Sequence, residues 1–166
     1  MPRLVANAVL FQIGWLACVF GSHQPWLLLA VPLILAVHFC WIGNWQQERK
    51  LLLIVFLAGS LLDTALIHLG VFHFPGTDRV LPLWLALLWS LLATTLNHSL
   101  AWSARPWWRA SLLGGLCAPP AYLIGARLAD VGLPLGLWIS AGLLSLVWAM
   151  VLPALHGVSA WGRADT

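Results

Sequence analysis

Two short stretches hold polar side chains where an otherwise apolar chain has little use for them. Asp63 lies in Leu61-Leu62-Asp63-Thr64-Ala65-Leu66-Ile67-His68, and Asn97 and His98 close the run Thr94-Thr95-Leu96-Asn97-His98-Ser99-Leu100. A carboxyl group at the centre of an apolar helix costs about 2.5–3.5 kcal/mol on an insertion scale, whereas each central Leu, Ile, Val or Phe returns about 0.3–0.6 kcal/mol. The helix therefore still inserts, and the acid is an expense that packing alone does not require. Asp63 is a candidate proton donor to a lipophilic substrate or a proton carrier. As structural glue it could instead bond a carbonyl near Gly115, or Gln12. His98 is the second catalytic candidate. Gln12, His38, Asn97, Asn7 and Tyr122 are candidates for orienting a substrate, and His38 could pair with His98. Asn97 and His98 point about 100° apart on a helix, so only one of them faces the bundle.

The remaining chemistry-bearing residues exclude more than they suggest. There is no His-x-x-x-His pattern, no serine-nucleophile motif and no phosphate-cradling glycine loop, so no metal and no cofactor is implied. Cys18, Cys40 and Cys117 lie inside apolar runs and read as small membrane-core residues. His23, His68, His73, Asp78, Arg79, Arg127 and Asp130 gather towards one side, and all of these but His23 form a set that could meet a lipid headgroup.

Composition sets the class of element that must position these groups. The chain has 166 residues, 61% hydrophobic and 8% charged, against about 25% charged in a soluble domain. The apolar runs, roughly 4–20, 26–45, 51–72, 81–102, 107–128 and 133–155, are each near the ~20 residues of a membrane crossing. The fold class expected is all-α, a polytopic membrane bundle of six transmembrane helices in one domain spanning 1–166. The first run follows Arg3 like a signal peptide but has no small-x-small cleavage site, so it reads as a retained span. Arg3, Arg49, Lys50, Arg105, Arg109 and Arg163 fall on one side of the membrane and Arg79 and Arg127 on the other. The positive-inside rule then puts both termini in the cytoplasm. With no basic run, nucleic acid is excluded as a partner. Membrane lipids, a second copy of the chain or another membrane protein remain.

Small residues at four-residue spacing mark expected helix contacts: Asn7, Phe11, Gly14, Cys18 and Gly21; Ser90, Thr94, Asn97 and Ala101; Gly114, Ala118, Ala121 and Gly125; Ala141, Ser145 and Ala149. Trp26, Trp45, Trp84, Trp102, Trp107, Trp108 and Trp161 fall near span ends, as an interfacial belt does, while Trp15, Trp89 and Trp148 lie deeper. Pro119-Pro120 deprives the carbonyls of Gly115 and Leu116 of their helical donors. A sharp kink or a broken helix is expected there, and a broken helix is one way a transporter exposes backbone to a solute.

Several of these residues also carry a resemblance. Asn7, Phe11-Gln12 and Gly14-Trp15, then Leu62-Asp63 through Leu69-Gly70-Val71-Phe72-His73-Phe74-Pro75, Leu81-Pro82-Leu83-Trp84, and Ala93 to Leu100 resemble a family of small bacterial inner-membrane proteins catalogued as domain of unknown function 2878. The resemblance implies a multi-pass inner-membrane protein and brings no activity with it. A weaker likeness joins Asp63, Gly70, Phe72, Pro82 and Leu83 to integral-membrane carotenoid cyclases and hydratases, in which acids protonate a polyene. Trp84 and Leu85 stand where those enzymes carry a second acid.

Three functions compete at this point. The first is an enzyme or binding protein for a lipid or isoprenoid, built on Asp63. The second is a non-catalytic assembly or partner subunit. The third is a small proton-coupled transporter with its solute site at Pro119-Pro120.

Overall fold

A computed structural model describes residues 1–75 and 80–164, with side chains as far as Trp161. It is 80% helical, and no strand forms among the described residues. The helices are α1 (Pro2–Gly21), α2 (Ala30–Val37), α3 (Trp45–His68), α4 (Leu83–Leu96), α5 (Trp108–Leu128) and α6 (Leu137–Ala164). A 3₁₀ turn over Pro25–Leu29 leads into α2, and a π turn over His38–Ile42 extends it. Among the described residues, four segments are long and apolar enough to cross a membrane: α1, the composite Pro25–Ile42, α3, and α6 through Trp161.

The sequence-level start of the third span, Leu51, moves to Trp45. The reason is a cap: Gly43 is extended, and the Asn44 side chain accepts a hydrogen bond from the Gln46 backbone N–H at 2.9 Å. An Asn in that role satisfies one of the donors a helix start leaves open. Gln46 to Lys50, which reads as a polar break, is thereby drawn into α3. Its buried residues then form one stripe, Glu48, Leu51, Val55, Gly59, Asp63, Leu66 and Ile67, at the three-to-four-residue spacing of a single helix face. Both buried acids ride on that face, about 22 Å apart along the axis at 1.5 Å per residue.

α4 is the hub. It packs against α1 on one side and α3 on the other and also touches α2 and α6. Trp89, Ser90, Leu91 and the run Ala93 to Leu96 are all buried. Beyond Leu96 the expected fourth span becomes a turn and a short 3₁₀ segment, Ala101–Ser103. α5 and α6 form an antiparallel hairpin, and α6 also contacts α3. At the far end of the bundle two loops are tied by a single bridge, His73 N–H to Gly132 O (2.9 Å) and Gly132 N–H to His73 O (2.8 Å).

The small-residue faces are seams. Gly14 lies against Leu91 and Ile34, Gly114 against the Trp148 carbonyl, and Gly115 against Ser145 and Ala149. At Pro119-Pro120 the expected break does not form, and α5 runs unbroken from Trp108 to Leu128. The carbonyl that Pro119 leaves without a partner, that of Gly115, accepts instead from the Ser145 hydroxyl of α6 at 2.7 Å. A neighbouring helix has re-satisfied the freed group, as membrane helices allow. Ser145→Ala is expected to lower stability by about 1 kcal/mol, measured by unfolding in mixed SDS micelles. An unchanged midpoint would mean that the bond does not support α5.

Candidate functional site

Asp63 is fully buried, and both its carboxyl oxygens are engaged. The Trp89 indole N–H donates to Oδ2 at 2.6 Å, and the Tyr122 hydroxyl donates to Oδ1 at 3.1 Å. Helices α3, α4 and α5 thus meet at one carboxyl group. The partners foreseen for it, a carbonyl near Gly115 or Gln12, are not those found: Ser145 takes the Gly115 carbonyl, and Gln12 lies exposed on the outside of α1. Trp89, placed above only among the deeper tryptophans, is a partner that sequence reasoning missed. Its depth near that of Asp63 was the available signal.

Behind this carboxyl the aromatic side chains are stacked. Trp89 lies parallel to Trp148, with ring centroids 5.3 Å apart and planes 6° apart, and Tyr122 stacks on Phe72 at 5.6 Å. Trp89, Tyr122, Trp148 and Phe72 all line a cavity of about 260 Å³. α1 contributes Phe11, Trp15 and Val19, and α5 contributes Cys117, Ala118, Ala121 and Gly125. The wall is almost wholly hydrocarbon and aromatic. Asp63 itself is not part of it; the acid holds two of the residues that are.

A second polar group sits at the end of the bundle that carries the N-terminus. His38 opens the π turn, Glu48 lies in the first turns of α3, and His98 follows α4. Nε2 of His38 is 3.0 Å from Glu48 Oε2, and Nε2 of His98 is 2.8 Å from Glu48 Oε1. The two imidazoles meet edge to face at 5.0 Å, so the expected pairing of His38 with His98 is present, with Glu48 as its hinge. Asn7 locks the group from α1. Its Oδ1 accepts from Ser99 N–H (3.1 Å) and Ser99 Oγ–H (2.6 Å), and its Nδ2 donates to the Thr94 carbonyl (3.1 Å) and faces His38 Nδ1 at 3.3 Å. Those bonds fix the amide's orientation, so His38 Nδ1 is an acceptor and its Nε2–H donates to Glu48. Nearby, Ser159 donates to Asn97 Oδ1, and the Ser103 hydroxyl lies 2.9 Å from His156 Nε2.

Asn7, His38 and His98 therefore share one cluster, Asp63 and Tyr122 share another, Asn97 belongs to an α4–α6 contact, and Gln12 joins none of these. Of the far-side set, His68 bonds the Thr64 carbonyl of its own helix at 2.8 Å, and His23 reaches the Leu128 carbonyl at 3.1 Å and Asp130 at 3.6 Å. Asp78 and Arg79 lie outside the described residues.

Comparison with known proteins adds one finding. The family model described as "Protein of unknown function (DUF2878)" matches residues 4–154, nearly the whole chain. No curated protein and no solved structure matches.

Proposed function

Because the chain belongs to the DUF2878 family, whose description names no activity, we propose its function from geometry: it binds the hydrocarbon part of a lipid or isoprenoid within the membrane. The observation that carries this is the coupling of Asp63 to the cavity. A carboxyl group that holds Trp89 and Tyr122 in place shapes a rigid aromatic wall, and such walls give an apolar ligand both contact area and orientation. A cavity lined by apolar side chains favours an apolar guest over water. The Tyr122 hydroxyl oxygen, whose hydrogen is given to Asp63, can still accept from a ligand hydroxyl and is the polar handle. Asp63 is a positioning residue in this reading. The protein is multi-pass in the bacterial inner membrane, with both termini in the cytoplasm by the count of six bases against two, and membrane lipids are its partners.

The test is purification in lipid nanodiscs, followed by mass spectrometry of bound species and quenching of tryptophan fluorescence by lipids brominated along the acyl chain. Wild type is expected to retain an apolar species and to be quenched. Ala121→Phe, which fills the cavity, should lose at least tenfold of the bound species with insertion unchanged. Equal lipid content and equal quenching in both would sink the proposal.

A further inference from the structure

The cluster at the N-terminal end has the composition of a metal centre. His38 is 1% exposed, Glu48 8%, and His98 is half-buried. One ligand atom from each lies within 4.8 Å of the others. Imidazole nitrogen and carboxylate oxygen bind zinc and its neighbours at about 2.0–2.2 Å, so ligand atoms around one four-coordinate ion sit roughly 3.4 Å apart. The two nitrogen-to-oxygen separations, 3.0 and 2.8 Å, already approach that spacing. The backbone leaves room as well. A Cβ on Gly43 would stand 2.5 Å from His38 Nε2 and 2.9 and 3.0 Å from the Glu48 oxygens, so only glycine there keeps the meeting point of the three ligands clear.

We propose that His38, Glu48 and His98 form a binding site for one divalent transition-metal cation of the Zn²⁺ type. The two imidazoles select against Mg²⁺ and Ca²⁺, which take all-oxygen shells. Three protein ligands leave a fourth position for water or a substrate atom. The ligands come from the π turn, α3 and the turn after α4, at positions 38, 48 and 98, which is why no short motif announces them. Coordination through His38 Nε2 requires its proton to leave that nitrogen. The contact then given up is that of Nδ1 with Asn7, at 3.3 Å the longest of the set. The ion also competes with protons for both imidazoles, so binding weakens as pH falls.

The experiment uses the full chain, purified without a polyhistidine tag, stripped with a chelator and equilibrated with Zn²⁺ or Co²⁺ in nanodiscs. One Zn²⁺ per chain by elemental mass spectrometry, visible Co²⁺ bands and a raised unfolding temperature are expected of the wild type. His98→Ala and Glu48→Gln should each lose at least tenfold in affinity, while His68→Ala should keep it. The wild type alone can overturn the proposal: far less than one Zn²⁺ per chain with no Co²⁺ bands would do so, whatever the variants do. Binding that survives both His98→Ala and Glu48→Gln would place the metal elsewhere and overturn this assignment.

Discussion

Gly59→Val is expected to destabilise the bundle by about 2–5 kcal/mol, the sum of overpacking at about 1–3 kcal/mol and a lost membrane-interior hydrogen bond of about 1–2 kcal/mol. A Cβ at residue 59 would run into the six-membered ring of Trp89. That indole cannot step aside. Its other neighbour is Trp148, stacked parallel at 5.3 Å, and its N–H is held by Asp63. Any rotation that relieves the clash pulls Nε1 off the carboxyl oxygen and opens the aromatic stack together with the cavity wall. Gly142→Val is the control, because a Cβ there meets nothing and the change alters little beyond helix propensity. Unfolding in mixed SDS micelles measures the loss, and the exciton feature of the paired indoles in circular dichroism reports the stack. Trp89→Leu in the Gly59→Val background should relieve part of the loss, since the two residues are in contact and their effects are not additive. A Gly59→Val protein with the midpoint and exciton feature of wild type would show that Trp89 is not pinned.

The same triangle shows what the sequence could carry. The bundle, its apolar class and the seams were legible because burial in a helix is written at intervals of three and four residues. Asn7, Gly14, Cys18 and Gly21 all proved buried. Asp63 was legible because a mid-span acid is conspicuous. Its partners were not, since nothing local in Trp89 or Tyr122 says that three helices bring them to one carboxyl group. Glu48 was hidden for a different reason. Two glutamines, an arginine and a lysine surround it, and five polar residues in a row read as a loop. The Asn44 cap carries the helix through them and turns Glu48 inward while Arg49 and Lys50 stay exposed. Gln12 misleads in the opposite sense, being polar and deep but on the outer face of α1. At Pro119-Pro120 the loss of a donor to the Gly115 carbonyl was readable, whereas its replacement by Ser145 from another helix was not.

Glu48→Ala should be the most disruptive change at the N-terminal end, lowering stability by about 2–4 kcal/mol. The magnitude follows from what it orphans. The buried His38 Nε2–H loses its acceptor, which costs about 1–3 kcal/mol, and the vacated carboxyl volume adds to this. The half-buried His98 loses its acceptor too, but water can reach it, so its share is smaller. Glu48→Gln separates chemistry from packing. The amide oxygen can still accept from His38, and His98 can present its unprotonated nitrogen to the amide N–H, so a loss of about 1 kcal/mol is expected. The cluster joins α1, the π turn, α3 and the end of α4, and its effects should therefore be coupled. His38→Ala in the Glu48→Ala background should cost much less than in wild type, because the donor it removes is already unpaired. Unfolding midpoints of the four proteins in a double-mutant cycle measure this. Strict additivity would show that His38 and Glu48 act independently, and Asn7 would then tie α1 only to the end of α4, through Thr94 and Ser99.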